Sequence, residues 1–257
     1  MQTLPRAVLF DTGGTVLDWH GSIVTELLEA GTLDGTAIDP HAFVNEWRRQ
    51  TMRGIVGQVR PAFHMDDLHQ TTLDTTVAHF GMPRLAEPAR QRLWRDWHRL
   101  RAWPDFPPAL AQLRRHVPVV SFTMLPVSLV VEVSRVNALV WDAVISCQMI
   151  GIYKPHPEAY RTALAWLGLA PKDALMVACH NFDLNAAQDV GMQTAFVRRP
   201  NEWGPAGPPD PNPNRDYDVV VDGFDQLVDG FDQLVDGFDY LVDGFTPLVE
   251  RGLSPPA

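Results

Sequence analysis

Asp11 ends a short apolar run, Ala7-Val8-Leu9-Phe10, and Thr12-Gly13-Gly14-Thr15 follow it at once. A carboxylate in that position can act as a nucleophile. The glycines allow a tight turn whose N–H groups face a bound anion. A strand closed by an Asx turn is the competing reading, and the stretch alone does not choose between them. Later apolar runs end in the same manner. Ser121-Phe122-Thr123 supplies a hydroxyl, and Lys154 follows another run within Gly151-Ile152-Tyr153-Lys154-Pro155-His156-Pro157. Val177-Ala178-Cys179-His180-Asn181-Phe182-Asp183 then supplies a second carboxylate. A cation beside two carboxylates lets both remain ionised despite their repulsion, so that one can attack while the other activates water.

The elements that must position these groups alternate along the chain. Strand-like runs fall at 7–10, 117–123, 143–147, 174–179, 194–197 and 218–221, with helical patterns at 109–116, 128–137, 157–167 and 184–190. Pro157 suits a first helical turn, while Gly168 and Gly191 suit helix ends. Continuous rather than alternating apolar runs read as strands buried on both faces. Strands alternating with helices predict an α/β fold with a doubly wound parallel sheet, whose ligands sit beyond the C-terminal strand ends. Residues 18–103 break the rhythm: they hold helical patterns, notably at 46–52 and 91–98, and no convincing strand. Connections of this kind are normally short, so the interval reads as an inserted helical cap over the sheet edge. Trp47, Trp94 and Trp97 are expected in its core.

The C-terminus repeats. Val221-Asp222-Gly223-Phe224-Asp225-Gln226-Leu227 recurs at 228–234, at 235–241 with Tyr240 in place of Gln, and more loosely at 242–248. A seven-residue period suggests a coiled coil, but Gly, Asp and Val are poor helix formers. Phe and Leu three residues apart would share a helix face, which leaves short amphipathic turns packed on the body as an alternative. The segment is expected to have no catalytic role. The expected division is 1–17 and 102–225 for the catalytic core, 18–101 for the helical cap and 221–257 for an acidic heptad-repeat tail, with a proline-rich loop at 205–213 before it.

At 257 residues, 46% hydrophobic and 20% charged, the composition is that of an ordinary globular chain. The formal charge of −10 is local, because the segment from Val221 onward holds eight acids and one base and so accounts for −7 of it. No basic stripe marks a nucleic-acid partner. No apolar run reaches the ~20 residues of a membrane span, and the N-terminus does not read as a signal peptide. Cys147 and Cys179 lie in apolar runs and read as buried thiols of a reduced, cytoplasmic protein.

The order of these motifs resembles the haloacid dehalogenase superfamily over about residues 5–225, and more narrowly its type II, L-2-haloacid dehalogenase-like branch. Phe10-Asp11-Thr12-Gly13-Gly14-Thr15-Val16-Leu17-Asp18, Trp47-Arg48, Trp103-Pro104-Asp105, Trp141-Asp142-Ala143 and Tyr153-Lys154-Pro155 with Tyr160 carry the resemblance. Residues 176–184 and 195–200 complete it. The resemblance implies a Rossmann-like core with a helical cap inserted after the first strand. It also implies hydrolytic dehalogenation of small 2-haloalkanoic acids. Asp11 would form an aspartyl ester by SN2 displacement, water assisted by Asp183 would hydrolyse it, and Lys154 would neutralise the carboxylates. Thr123 would help bind the substrate carboxylate and Arg48 would receive the halide. Thr15, Tyr160 and His180 complete the expected substrate-binding set, Tyr160 as a pocket or supporting residue. His180 also reads as a satisfied histidine or a base, and His156 as a loop residue. No metal or other cofactor is implied, and the expected partners are the haloacid and, as the one assembly considered, a second copy of the chain in a homodimer.

The sequence departs from the family pattern at several positions. The superfamily's phosphatases have a second Asp two residues after the nucleophile, and the dehalogenases an aromatic residue; here Gly13 stands there. Met124 follows Thr123 where the family has Asn, and aligning on Ser121 instead places Phe122 there. Counting back from Trp141-Asp142 favours Thr123. Ala178 and His180 stand where the dehalogenases have Ser and Asn. Two alternatives follow. One is a phosphatase with Mg²⁺ on Asp11, the Gly13 carbonyl and Asp183. The other is a binding protein that keeps the fold without the activity and uses the acidic heptads for interaction.

Overall fold

The computed structural model describes residues 4–55, 58–60 and 64–239. The chain opens with β1 (Ala7–Phe10) and the short β2 (Leu17–Asp18). Four helices follow: α1 (Trp19–Glu29), α2 (Pro40–Ile55), α3 (Met65–His79) and α4 (Glu87–Arg95). The chain returns through β3 (Arg101–Ala102), then runs α5 (Phe106–Leu113), β4 (Val119–Thr123), α6 (Val127–Val136) and β5 (Ala143–Ser146). After α7 (Cys147–Ile150) and α8 (Pro157–Leu167) come β6 (Ala174–Ala178), α9 (Asn181–Val190) and β7 (Gln193–Val197). β8 (Val219–Val221) and α10 (Phe224–Asp239) close the described chain.

Six strands form one parallel sheet in the order β5-β4-β1-β6-β7-β8. Every residue of β1, β4, β6 and β7 is buried, as continuous apolar runs require when helices cover both faces. The chain moves from β1 outward through β4 and β5, then crosses to β6 on the other side. The connections therefore diverge beside β1, which is where such sheets open a ligand crevice. This is the Rossmann-like doubly wound core with an inserted helical cap. β2 and β3 pair antiparallel, Leu17 with Ala102 and Asp18 with Arg101, where the chain leaves the sheet and returns to it. Trp47 and Trp97 are buried in the cap and meet edge to face at 5.5 Å, while Trp94 is half-buried. Among the described residues, no helix is long and apolar enough to cross a membrane.

The C-terminal repeat differs from its low helix propensity. Residues 224–239 are helical, and Phe224, Leu227, Val228 and Phe231 are buried. Their spacing of three, four and seven makes one helix face, so tertiary burial overrides weak local preference. Phe224 lies 4.8 Å from Phe106 and 5.9 Å from Phe10, ring to ring, so the first repeats belong to the core rather than to a separate tail. The later repeats, from Tyr240, lie outside the described residues.

Candidate functional site

Asp11 directly follows β1, and its amide donates to the Val177 carbonyl of β6 at 3.0 Å. The turn beyond it is tight, with the amides of Val16 and Leu17 both bonding back to the Thr12 carbonyl. Gly14 adopts φ +91°, and a Cβ there would collide with the Glu202 carboxylate and crowd the His180 ring. Gly13 is under no such constraint, since a Cβ would meet only the Leu125 side chain, at 3.7 Å.

The sheet brings the other strand-end groups to Asp11. Lys154 has a wholly buried side chain; Nζ lies 2.7 Å from Asp183 Oδ2 and 3.6 Å from Asp11 Oδ1, and donates to the Phe122 carbonyl at 2.7 Å. Asp183, in the first turn of α9, accepts the Tyr160 hydroxyl on its other oxygen at 2.5 Å. Thr15 donates to Asp11 Oδ2 at 2.8 Å. Thr15 and Tyr160 thus hold the two carboxylates and do not line the cavity. Ser121 is spent on the Thr12 hydroxyl at 2.7 Å, whereas Thr123 lines the cavity and accepts the Leu125 amide at 3.1 Å. His156 caps α8 by accepting the Glu158 amide.

Burial opposes ionisation of Asp11, but Lys154, His180 and Thr15 outweigh it and bring its pKa down to about 2. The same burial raises Asp183 against the pull of Lys154. Burial also opposes the charge on Lys154, yet Asp183 and Asp11 keep its pKa above the usual lysine value. Asp11 is therefore a carboxylate and Lys154 an ammonium at neutral pH.

A cavity of about 590 Å³ lies between the sheet edge and the cap. Asp11, Gly13, Thr123 and His180 line it from the core, and Arg48, Met52, Ile55 and Met65 from α2 and α3. Arg48 is buried, its guanidinium 5.5 Å from the Trp19 ring and 5.9 Å from the Trp97 ring. It makes no hydrogen bond with any described residue, which leaves an apolar-walled cation facing the cavity. Arg49 also reaches the cavity, but it is more exposed, stacks on Trp203 and pairs with Glu46 at 3.6 Å.

Glu202 was not among the expected site residues. It is 2% exposed and accepts His180 Nε2 at 3.0 Å and the Trp19 indole N–H at 3.1 Å, while His180 Nδ1 meets Asp11 Oδ2 at 3.1 Å. The signal available in the sequence was its place shortly after the run ending at Val197, the same strand-end rule that marks the other groups.

Most of the carboxylate oxygens that Mg²⁺ would need are already engaged. Both Asp183 oxygens accept protein donors, Asp11 Oδ2 accepts two, and an ammonium stands between the carboxylates. Octahedral oxygen ligation does not fit this arrangement. Cys179, His180 and Glu202 place ligand-type atoms within 4.8 Å of one another. They are closed by the His180–Glu202 hydrogen bond, and burial raises the Cys179 pKa, so its sulfur is a thiol and not a ligand thiolate.

The model of the haloacid dehalogenase-like hydrolase family matches residues 5–191. An (S)-2-haloacid dehalogenase of Burkholderia cepacia is 26% identical over 203 residues, 76% of this chain and 83% of that protein. The crystal structure of an L-2-haloacid dehalogenase superposes with a TM-score of 0.81 at 32% identity, covering 89% of this chain and 99% of that one. A defluorinating L-2-haloacid dehalogenase gives a TM-score of 0.81 at 31% identity, over 89% and 95% of the two chains. The chain belongs to the haloacid dehalogenase-like hydrolases, in their L-2-haloacid dehalogenase branch.

Proposed function

We propose that this protein hydrolyses the carbon–halogen bond of 2-haloalkanoic acids through an ester on Asp11. One observation carries the reading. An ionised Asp11 stands on the cavity floor with Arg48 in the opposing wall, and no acid stands at position 13. Halides leave as weak bases, so displacement needs a nucleophile and an anion acceptor but no proton donor. A phosphate ester would need the acid that Gly13 lacks.

Asp11 Oδ1 attacks C2, the carbon–halogen bond breaks, and the halide departs with its electron pair toward Arg48. Thr123 donates its hydroxyl to the substrate carboxylate. Lys154 holds Asp11 ionised and oriented before attack, and Tyr160 holds Asp183. Water then adds to Asp11 Cγ and gives a proton to Asp183. The Cγ–Oδ1 bond breaks, the product alkoxide takes that proton, a 2-hydroxy acid leaves, and Asp11, re-formed with one oxygen from water, releases the second water proton to solvent. Each step uses side chains and water alone, so the reaction as proposed requires no metal or organic cofactor.

The test is halide release from chloroacetate and bromoacetate, followed by ion chromatography with and without added Mg²⁺. Asp11→Asn is expected to lower release by at least roughly 10³-fold, as loss of a catalytic nucleophile does. Unchanged release in that variant refutes the assignment.

A further inference from the structure

The His180 ring lies between two buried carboxylates, with Nδ1 3.1 Å from Asp11 Oδ2 and Nε2 3.0 Å from Glu202 Oε1. Ionised carboxylates only accept hydrogen bonds, so making both bonds requires a proton on each ring nitrogen, which is the imidazolium form. The groups around the ring fit that state. Burial alone would lower its pKa, but the Glu202 and Asp11 carboxylates bonded to its two nitrogens hold it above the usual imidazole range. Arg48 faces the same two carboxylates from α2, and it supports ionised Glu202 together with His180 and Trp19. Gly14 leaves the space that Glu202 and His180 occupy against the backbone.

The two oxygens of Asp11 are unequal. Oδ2 accepts Thr15 at 2.8 Å and His180 at 3.1 Å, whereas among the described residues Oδ1 has only Lys154, at 3.6 Å. The Cys179 amide donates to Thr15 Oγ1 at 3.0 Å, which turns the hydroxyl proton toward Asp11. Oδ1 is therefore the oxygen free to attack, and Oδ2 becomes the carbonyl oxygen of the ester. When water adds to Cγ, the π electrons move onto Oδ2, where two donors already point. Preorganised donors at a developing oxyanion are a major source of rate acceleration.

We propose that His180, held by Glu202, is the oxyanion donor of the hydrolytic half-reaction: it stabilises the negative charge on Asp11 Oδ2 as water adds to the ester. The proposal rests on the aspartyl-ester reading above. It makes His180 a catalytic residue of the second step and Glu202 a positioning residue that acts through it.

The experiment is rapid-quench turnover of bromoacetate by the full chain, reading bromide by ion chromatography and the Asp11 ester by intact mass. The variants are His180→Gln and the near-isosteric Glu202→Gln, which retains an acceptor for Trp19, with circular dichroism to verify folding. Both are expected to release about one bromide per site at close to the parent rate, then turn over roughly 10²-fold more slowly with the ester accumulated, the scale of losing an oxyanion donor. Glu202→Gln should also lose ester hydrolysis at a lower pH than the parent as pH rises, because His180 then deprotonates more readily. Ester formation slowed as much as turnover, with no ester accumulating in either folded variant, would overturn the proposal in favour of substrate binding. Unchanged ester hydrolysis would overturn it outright. Failure of the underlying reading looks different: the parent protein itself would then form no ester on Asp11.

Discussion

Lys154 and Asp183 form an ion pair at 2.7 Å with both side chains wholly excluded from solvent. The lysine comes from the loop before α8 and the aspartate from the first turn of α9, so the pair joins two crossover connections beneath the nucleophile. Removing one member of a buried pair leaves the other charge without compensation, at a cost of roughly 3–5 kcal/mol. Lys154→Met is expected to lose stability on that scale in urea unfolding and to abolish halide release. A variant with parental stability would show that the carboxylates share a proton without needing the ammonium.

Position 13 should set substrate size. Gly13→Ala introduces a methyl that meets only Leu125, at 3.7 Å, so halide release from chloroacetate should change by less than about fivefold, within roughly 1 kcal/mol. Gly13→Phe would fill part of the 590 Å³ cavity and is expected to lower kcat/KM for long-chain 2-haloacids by at least roughly tenfold relative to chloroacetate. Equal losses on short and long substrates would remove Gly13 from any role in sizing the pocket.

The repeat segment should matter to folding. Phe231 is fully buried on α10, and Phe→Ala in a core costs about 3–5 kcal/mol. Phe231→Ala should show a loss of that size in urea unfolding. A chain ended at Val221 also loses Phe224, whose ring lies 4.5 Å from the Arg199 guanidinium. Arg199 in turn pairs with Asp105 and donates to the Thr15 carbonyl at 3.0 Å. Thermal melts should therefore show the shortened chain far less stable, or unfolded. A shortened chain with parental melting temperature and full turnover would show the helix to be dispensable.

Asp96, in the turn after α4, is 2% exposed, and its Oδ2 has no partner among the described residues. Burial, with a smaller push from Glu26, raises its pKa from 3.8 to about 7. The folded state then holds a proton that the unfolded state has released, so this contribution to stability falls as pH rises from about 4 to about 7 and stays low above that. Asp96→Asn should melt higher than the parent at pH 8, by roughly 2–4 °C for each kcal/mol recovered. The difference should vanish near pH 4. A difference independent of pH would assign the effect to packing instead.

The strand ends and the groups that stand on them are legible in the chain alone. β1 is legible from four consecutive apolar residues, α8 from its Pro157 start and Gly168 end, and Asp11, Thr123, Lys154 and Asp183 from their places at or after the ends of apolar runs. These signals are local: chain direction and side-chain period decide them within a few residues. Whatever depends on distant segments meeting comes from packing. It brought Glu202 to His180 and Trp19, buried Arg48 between two tryptophans while leaving Arg49 more exposed, and gave Ser121 to Thr12 but Thr123 to the cavity. It also made a helix of a glycine- and aspartate-rich repeat, because burying Phe224, Leu227, Val228 and Phe231 outweighs weak local propensity. Most consequential for chemistry, it made the two oxygens of Asp11 inequivalent. That difference comes from hydrogen bonds donated by Thr15 and His180 to one oxygen and an ion pair with Lys154 at the other; His180 and Lys154 lie far from Asp11 along the chain, and only sheet order and packing bring them to one carboxylate.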